Sequence, residues 1–173
     1  LRGNLMEEFK YDYDLDTLNE KYIAYNLFQL VEFDLSMNKF RSISPILFRT
    51  VINLRILNMS YNSLTEIPVG IFSTLTKLTK LDLSVNRLVA LNQSVFSELY
   101  FLEFLNVSCN NLSLLEQDLF ASQSYLVHLD LSQNYFEYFE STSFQNLSRL
   151  ENLYLYSNPI KHLEERFVGL TSI

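Results

Sequence analysis

His128, Asp130 and Ser132 alternate along one short stretch and carry the side chains of a base, an acid and a nucleophile. A hydrolytic triad needs its base within hydrogen-bond reach of both partners. Alternate residues of an extended strand stand about 6.5–7 Å apart, beyond that reach. The same Asp–Ser pair recurs at Asp82 and Ser84, where Lys80 replaces the histidine. The pattern therefore points away from catalysis, and the chain is expected to be no enzyme. "DYDLD" at 12–16 hints at a calcium loop, but loop position six would be Thr17 and position twelve Ile23. A functional loop needs Gly and Glu there, so a solvated acidic edge is the better reading. His128 and His162 are the only histidines and Cys109 the only cysteine. These exclude an internal disulfide framework and an all-cysteine metal site and make a zinc site improbable, and no cofactor is implied. The remaining motif chemistry is Asn-x-Ser, at Asn58, Asn92, Asn106, Asn111 and Asn146. This is the acceptor pattern for N-glycosylation, in mild excess over chance.

The elements that must carry these residues are set by composition first. The 173 residues are 48% hydrophobic and 19% charged, enough for a packed core in one ordinary domain. A net charge of −7 disfavours nucleic acid and anionic membranes as partners, since both are held largely by Lys and Arg. No run is long and apolar enough to span a bilayer. The N-terminus has no initiator Met and no leader pattern, so the chain is expected to be a mature or excised piece of something longer. Only 3 glycines are present, so something other than glycine must hold the bends.

Asparagine recurs every 24 residues, at Asn38, Asn62, Asn86, Asn110, Asn134 and Asn158. Five residues before each stands Phe33, Leu57, Leu81, Leu105, Leu129 or Leu153, and ten after the first five stands Phe48, Phe72, Phe96, Phe120 or Phe144. Further apolar columns lie three before, two after and five after each asparagine. Alternation such as Leu-Asp-Leu-Ser at 81–84 predicts one short strand per unit. One unit cannot bury its own leucines, so neighbours must stack. The asparagines are expected to form an internal ladder that satisfies the turn peptides, each unsatisfied group costing roughly 1–3 kcal/mol. The phenylalanines should form a second spine on the far side.

The text "LTKLDLSVNRLVALNQSVFSEL", Leu78 to Leu99, resembles the leucine-rich repeat family in the 24-residue form common in extracellular proteins. The resemblance covers 27–173 and implies an α/β solenoid, a horseshoe with a parallel β-sheet on its concave face. The convex side is then irregular or 3-10, with few or no long helices. One solenoid is expected over 1–173: a degenerate N-terminal repeat over 1–26 and six repeats over 27–173, uncapped at the C-terminus. Asp14, Phe9 and Tyr11 fall in the repeat's columns, after which the pattern dissolves. Phe167 follows Asn158 by nine residues rather than ten, so the last unit is one residue short. Ile173 would then occupy the first leucine position of a seventh unit. Uncapped ends expose strand edges and core, which predicts a homo- or heterodimer.

The outward first column of the strands reads Glu32, Ile56, Lys80, Phe104, His128, Asn152, and the fold does not dictate it. The second and third columns are mostly the family's Asp or Asn, then Ser, until Tyr154 and Tyr156 replace both. Phe104, His128, Asn152, Tyr154 and Tyr156, with Ile56 and Lys80, form the candidate partner-binding face. Asn58 and Asn106 point toward that face, where a glycan would obstruct it, while Asn92, Asn111 and Asn146 lie on turns or outside. The sequence looks like Toll-type receptor ectodomains and insect leucine-rich-repeat immune proteins. That resemblance implies a secreted or cell-surface recognition scaffold with a protein ligand or co-receptor. Lone Cys109 and the missing cysteine-rich caps leave open an intracellular scaffold that docks an enzyme, and an adhesion or matrix protein is a further alternative.

Overall fold

The computed structural model describes residues 28–140, 142–161 and 171–172. The degenerate repeat over 1–26, the acidic 12–16 stretch, His162, Phe167 and Ile173 lie outside them. Seven short strands form one parallel sheet in chain order. They are β1 (Glu32–Asp34), β2 (Ile56–Asn58), β3 (Lys80–Asp82), β4 (Phe104–Asn106), β5 (His128–Asp130), β6 (Asn152–Tyr154) and β7 (Thr171–Ser172). From β1 to β6 each residue pairs with the one 24 positions on, as Leu57 does with Leu81 and Leu105 with Leu129. The last step differs: Leu153 pairs with Thr171, 18 positions on. The expectation of a unit one residue short, with its opening leucine at Ile173, put that strand later. A sheet edge offers unpaired N–H and C=O groups to whatever backbone reaches it, so pairing there does not need the apolar pattern. The segment opposite the sheet is turns, with one 3-10 turn at Pro45–Phe48 and no α-helix among the described residues.

The apolar columns are buried, from Phe33 and Leu57 through Leu81, Leu105, Leu129 and Leu153. Phe48, Phe72, Phe96, Phe120 and Phe144 form the expected spine, with successive ring centroids 6.2, 6.4, 6.3 and 6.4 Å apart. Strands in a sheet lie only about 4.8 Å apart. The wider step on the phenylalanine side bends the stack toward the sheet, which becomes the inner wall. The column three residues beyond each spine phenylalanine is buried as well, and in one coil it is polar. Gln123 is fully buried, and its Nε2 donates to the Phe96 carbonyl at 2.7 Å while its Oε1 has no partner.

The asparagines are directed inward, as the turns require. Asn86 Nδ2 donates to the carbonyls of Leu83 and Ser84 in its own coil at 3.0 and 3.2 Å. It also reaches the Met59 carbonyl of the coil before, at 3.0 Å. Its Oδ1 accepts the Leu64 N–H at 3.0 Å. Asn110 repeats all four contacts one coil on. One side chain thus serves two coils, with its two N–H groups shared among three acceptors.

The ladder has a consequence for the residue just before each asparagine. Met37, Tyr61, Val85, Cys109, Gln133 and Ser157 all have φ between 52° and 56°. None is glycine, although left-handed backbone costs an L-residue roughly 1–2 kcal/mol. The asparagine bonds therefore hold strain at six turns. Val85 is the most strained, because a β-branched side chain fits this region worst. Val85→Asn is expected to raise the stability by about 0.5–1 kcal/mol. A urea midpoint that stays put or falls would show that no strain is stored there.

Candidate binding face

The 24-residue register lines up the outward side chains in rows across the strands. Ile56, Lys80, Phe104, His128 and Asn152 form the first row, and Asn58, Asp82, Asn106, Asp130 and Tyr154 the second. At about 4.8 Å per strand, the six strands β1–β6 make a strip about 25–30 Å long. Phe104 and His128 meet ring to ring, centroids 6.2 Å apart at 48°. Asn152 follows in the same row and Tyr154 sits one row down, both half-buried. Tyr156, beyond the end of β6, is 39% exposed. Four residues of the expected face therefore fall on the neighbouring strands β4, β5 and β6, and Tyr156 follows just past the end of β6. Ile56 and Lys80 extend the row on the other side, where a shallow cavity of about 220 Å³ is lined by Ile56, Lys80, Phe104, Asn58 and Asp82, with Leu57 at its base.

The second and third columns have a structural task. Asp82 Oδ1 accepts both the N–H and the hydroxyl of Ser84, at 2.9 and 2.6 Å. Asn58 does the same for Ser60, and Asp130 for Ser132. These contacts fasten the chain as it leaves each strand. They also correct one expectation. Asp130 and Ser132 are within hydrogen-bond reach of each other and directly bonded, because β5 ends at Asp130 and the chain turns. The Ser132 hydroxyl gives its proton to Asp130, not to His128, so the order of a triad is not built here. Where Tyr154 and Tyr156 replace the pair, the turn loses this clasp. The Asn158 Nδ2 contact to the Tyr156 carbonyl lengthens to 3.5 Å, against 3.1 Å for Asn134 to Ser132.

The sequons divide as their columns suggest. Asn58 and Asn106 are half-buried at strand ends, with their Oδ1 atoms already accepting Ser60 and Ser108 N–H groups. Asn92, Asn111 and Asn146 are exposed away from the strands. Cys109 is half-buried in one of the left-handed turns. The described residues bring no three potential metal ligands together, and none of their helices is long and apolar enough to cross a membrane.

A second surface feature escapes a column-by-column reading. On the flank that leads into the strands, Phe101 and Tyr125 have ring centroids 5.7 Å apart. The Arg149 guanidinium carbon lies 4.2 Å from the Tyr125 ring centroid, in cation–π contact. Beside them the Tyr100 phenol is held above its ordinary pKa by the charge of Glu98, which also accepts its hydroxyl at 3.2 Å. Positions 101, 125 and 149 share one spacing of 24, but Phe, Tyr and Arg share no obvious side-chain type.

The family model for the leucine rich repeat matches residues 28–88, 76–136, 102–160 and 124–173, overlapping across nearly all of the chain. The chain belongs to the leucine-rich repeat family. This leucine-rich repeat chain also matches solved structures. One is a chain of a TLR13–ssRNA13 complex, 27% identical, covering 80% of this chain and 23% of that one, with a TM-score of 0.61. Another is the APL1 leucine-rich repeat domain, 25% identical, covering 78% of this chain and 35% of that one, with a TM-score of 0.71. This leucine-rich repeat segment thus spans about a quarter and a third of the two solved chains. None of the curated proteins searched matches it. The ladder, the spine and the inner sheet are features of the family's fold, whose members typically act as scaffolds rather than enzymes. The repeat pattern does not dictate the first row.

Proposed function

We propose that this chain is the recognition part of a secreted or cell-surface protein, receptor-like or innate immune, and that it binds a protein partner on the strand face. The observation that carries the reading is the first row. Ile56, Phe104 and His128 are large side chains at outward positions on a stiff inner wall, continued by Tyr154 and Tyr156 where the family's Asp and Ser would stand. Tyr and Phe give contact area at little entropic cost, and rigid elements hold it in place. The solved TLR13 complex contains RNA. For this chain the net charge of −7 favours a protein ligand over a phosphate backbone. Pairing with a co-receptor or a second copy belongs to the same reading.

Two measurements test it. A displayed random-peptide library panned on the immobilised chain should yield binders that Tyr154→Asp with Tyr156→Ser weakens tenfold or more. Val69→Asp, at an exposed position outside the strands, should leave them unchanged. Binders indifferent to the tyrosine pair, or an absence of binders, would sink the strand face as the recognition surface. For the compartment, mass spectrometry of native material should find glycans at exposed Asn92 and Asn146. Unmodified asparagines at both would favour the second reading, an intracellular scaffold that docks an enzyme. That reading draws on Cys109, whose thiol has no second cysteine in the chain.

A further inference from the structure

The Ile56–Lys80–Phe104 cavity adds chemistry to the recognition face, and the inference rests on reading that face as a binding surface. Ile56 and Phe104 stand on β2 and β4, and Lys80 stands between them on β3 in the same row. The cavity of about 220 Å³ is smaller than the roughly 300–1,000 Å³ of typical small-molecule sites. It accommodates one or two side chains rather than a whole cofactor. Lys80 is exposed, and its ammonium has no hydrogen bond or ion pair among the described residues. Asp82, the nearest acid along the strand, already takes two donors from Ser84 on one oxygen. Its charge is partly compensated there, while the Lys80 ammonium is not.

Charge along the solenoid singles out the same place. Over 53–88, Arg55, Lys77, Lys80 and Arg87 stand against Glu66 and Asp82, a net +2. Over 89–161, two basic residues stand against eight acidic ones, a net −6. An acidic ligand approaching this chain is repelled by the later coils and drawn to the coils that hold the cavity. We infer that this cavity takes an extended protein segment in which a large apolar side chain sits beside an acidic one. The apolar group lodges between Ile56 and Phe104, and the carboxylate pairs with Lys80. The segment is internal to its protein, because the strip continues on both sides of the cavity, with Glu32 beyond Ile56 and His128 beyond Phe104 in the row.

Fluorescence anisotropy with labelled peptides capped at both ends tests this. A peptide with a Phe-Glu-Phe core should bind at least tenfold tighter than its Phe-Lys-Phe counterpart, and added salt should narrow the gap. Lys80→Glu should reverse the preference, and Lys80→Met, which keeps the stem, should abolish it. Circular dichroism of both variants should match the parent, because Lys80 is exposed. A tighter Phe-Lys-Phe peptide, or a preference that survives Lys80→Glu, overturns the inference. So does a peptide ending in a free carboxylate that outbinds the internal acid. These outcomes leave the broader reading intact if library binders still depend on Tyr154 and Tyr156. If that dependence fails as well, both readings fall.

Discussion

Asn86→Ala is expected to destabilise the solenoid by about 3–5 kcal/mol, although it removes only a short polar side chain. The deletion strips the Leu64 N–H of its acceptor and leaves the Met59, Leu83 and Ser84 carbonyls without this donor. Asn86 is buried, so water does not readily take its place. Each abandoned buried group costs about 1–3 kcal/mol, partly recovered as the turn relaxes. The strained Val85 backbone would lose the clamp that holds it. Asn86→Asp sharpens the experiment. It keeps the acceptor for Leu64 but turns a donor toward three carbonyls into a carboxylate, so it should be at least as harmful as alanine. Urea denaturation reads the loss, and hydrogen exchange at the Leu64 amide should show it first. A midpoint shifted by the equivalent of less than about 1 kcal/mol would mean that the ladder is ornament.

The second large effect lies on the opposite wall. Phe96→Ala should cost about 3–5 kcal/mol, by lost transfer energy and by the cavity left behind. Phe96 is fully buried and stacks against Phe72 on one side and Phe120 on the other, at interplanar angles of 10° and 3°. Its removal interrupts the spine in the middle. Phe96→Leu fills much of the space and should cost clearly less. Because each coil touches only its neighbours, the damage should be local. Amides of the coils around Phe72 and Phe120 should lose protection before those around Phe48. Equal loss everywhere would argue for one cooperative unit instead.

Much of this architecture was legible because the repeat reports on itself. Six asparagines at one spacing located the ladder, and the phenylalanine column located the spine, each from side-chain type alone. The left-handed turns were not legible. Met37, Tyr61, Val85, Cys109, Gln133 and Ser157 share a backbone conformation and no side-chain chemistry. The ladder imposes that conformation, and it leaves no mark on the residue that bears it. The Asp130–Ser132 bond was hidden for a related reason: strand spacing holds only while the strand lasts. Gln123 broke an apolar column silently, since its amide N–H is answered by the Phe96 carbonyl of the neighbouring coil. On the candidate face, the rows followed directly from the period. The cavity did not, because it depends on how side chains from three strands, Ile56, Lys80 and Phe104 among them, pack together. The pairing of Leu153 with Thr171 could not be read from a pattern that the edge strand does not need.

From Asn62 to Asn158 each ladder asparagine bonds its own coil and the one before it, and the Leu35, Met59, Leu83, Val107 and Leu131 carbonyls each receive two asparagines in turn. Within the ladder, the joint between any two of these coils is therefore chemically the same. Duplicating or excising a stretch of 24 residues would re-form it unchanged, whereas losing a single residue between a strand and its asparagine would misalign that amide with both of its neighbours. Such a molecule is free to lengthen or shorten over generations only in whole turns, and each added turn brings a fresh outward position on which selection can act.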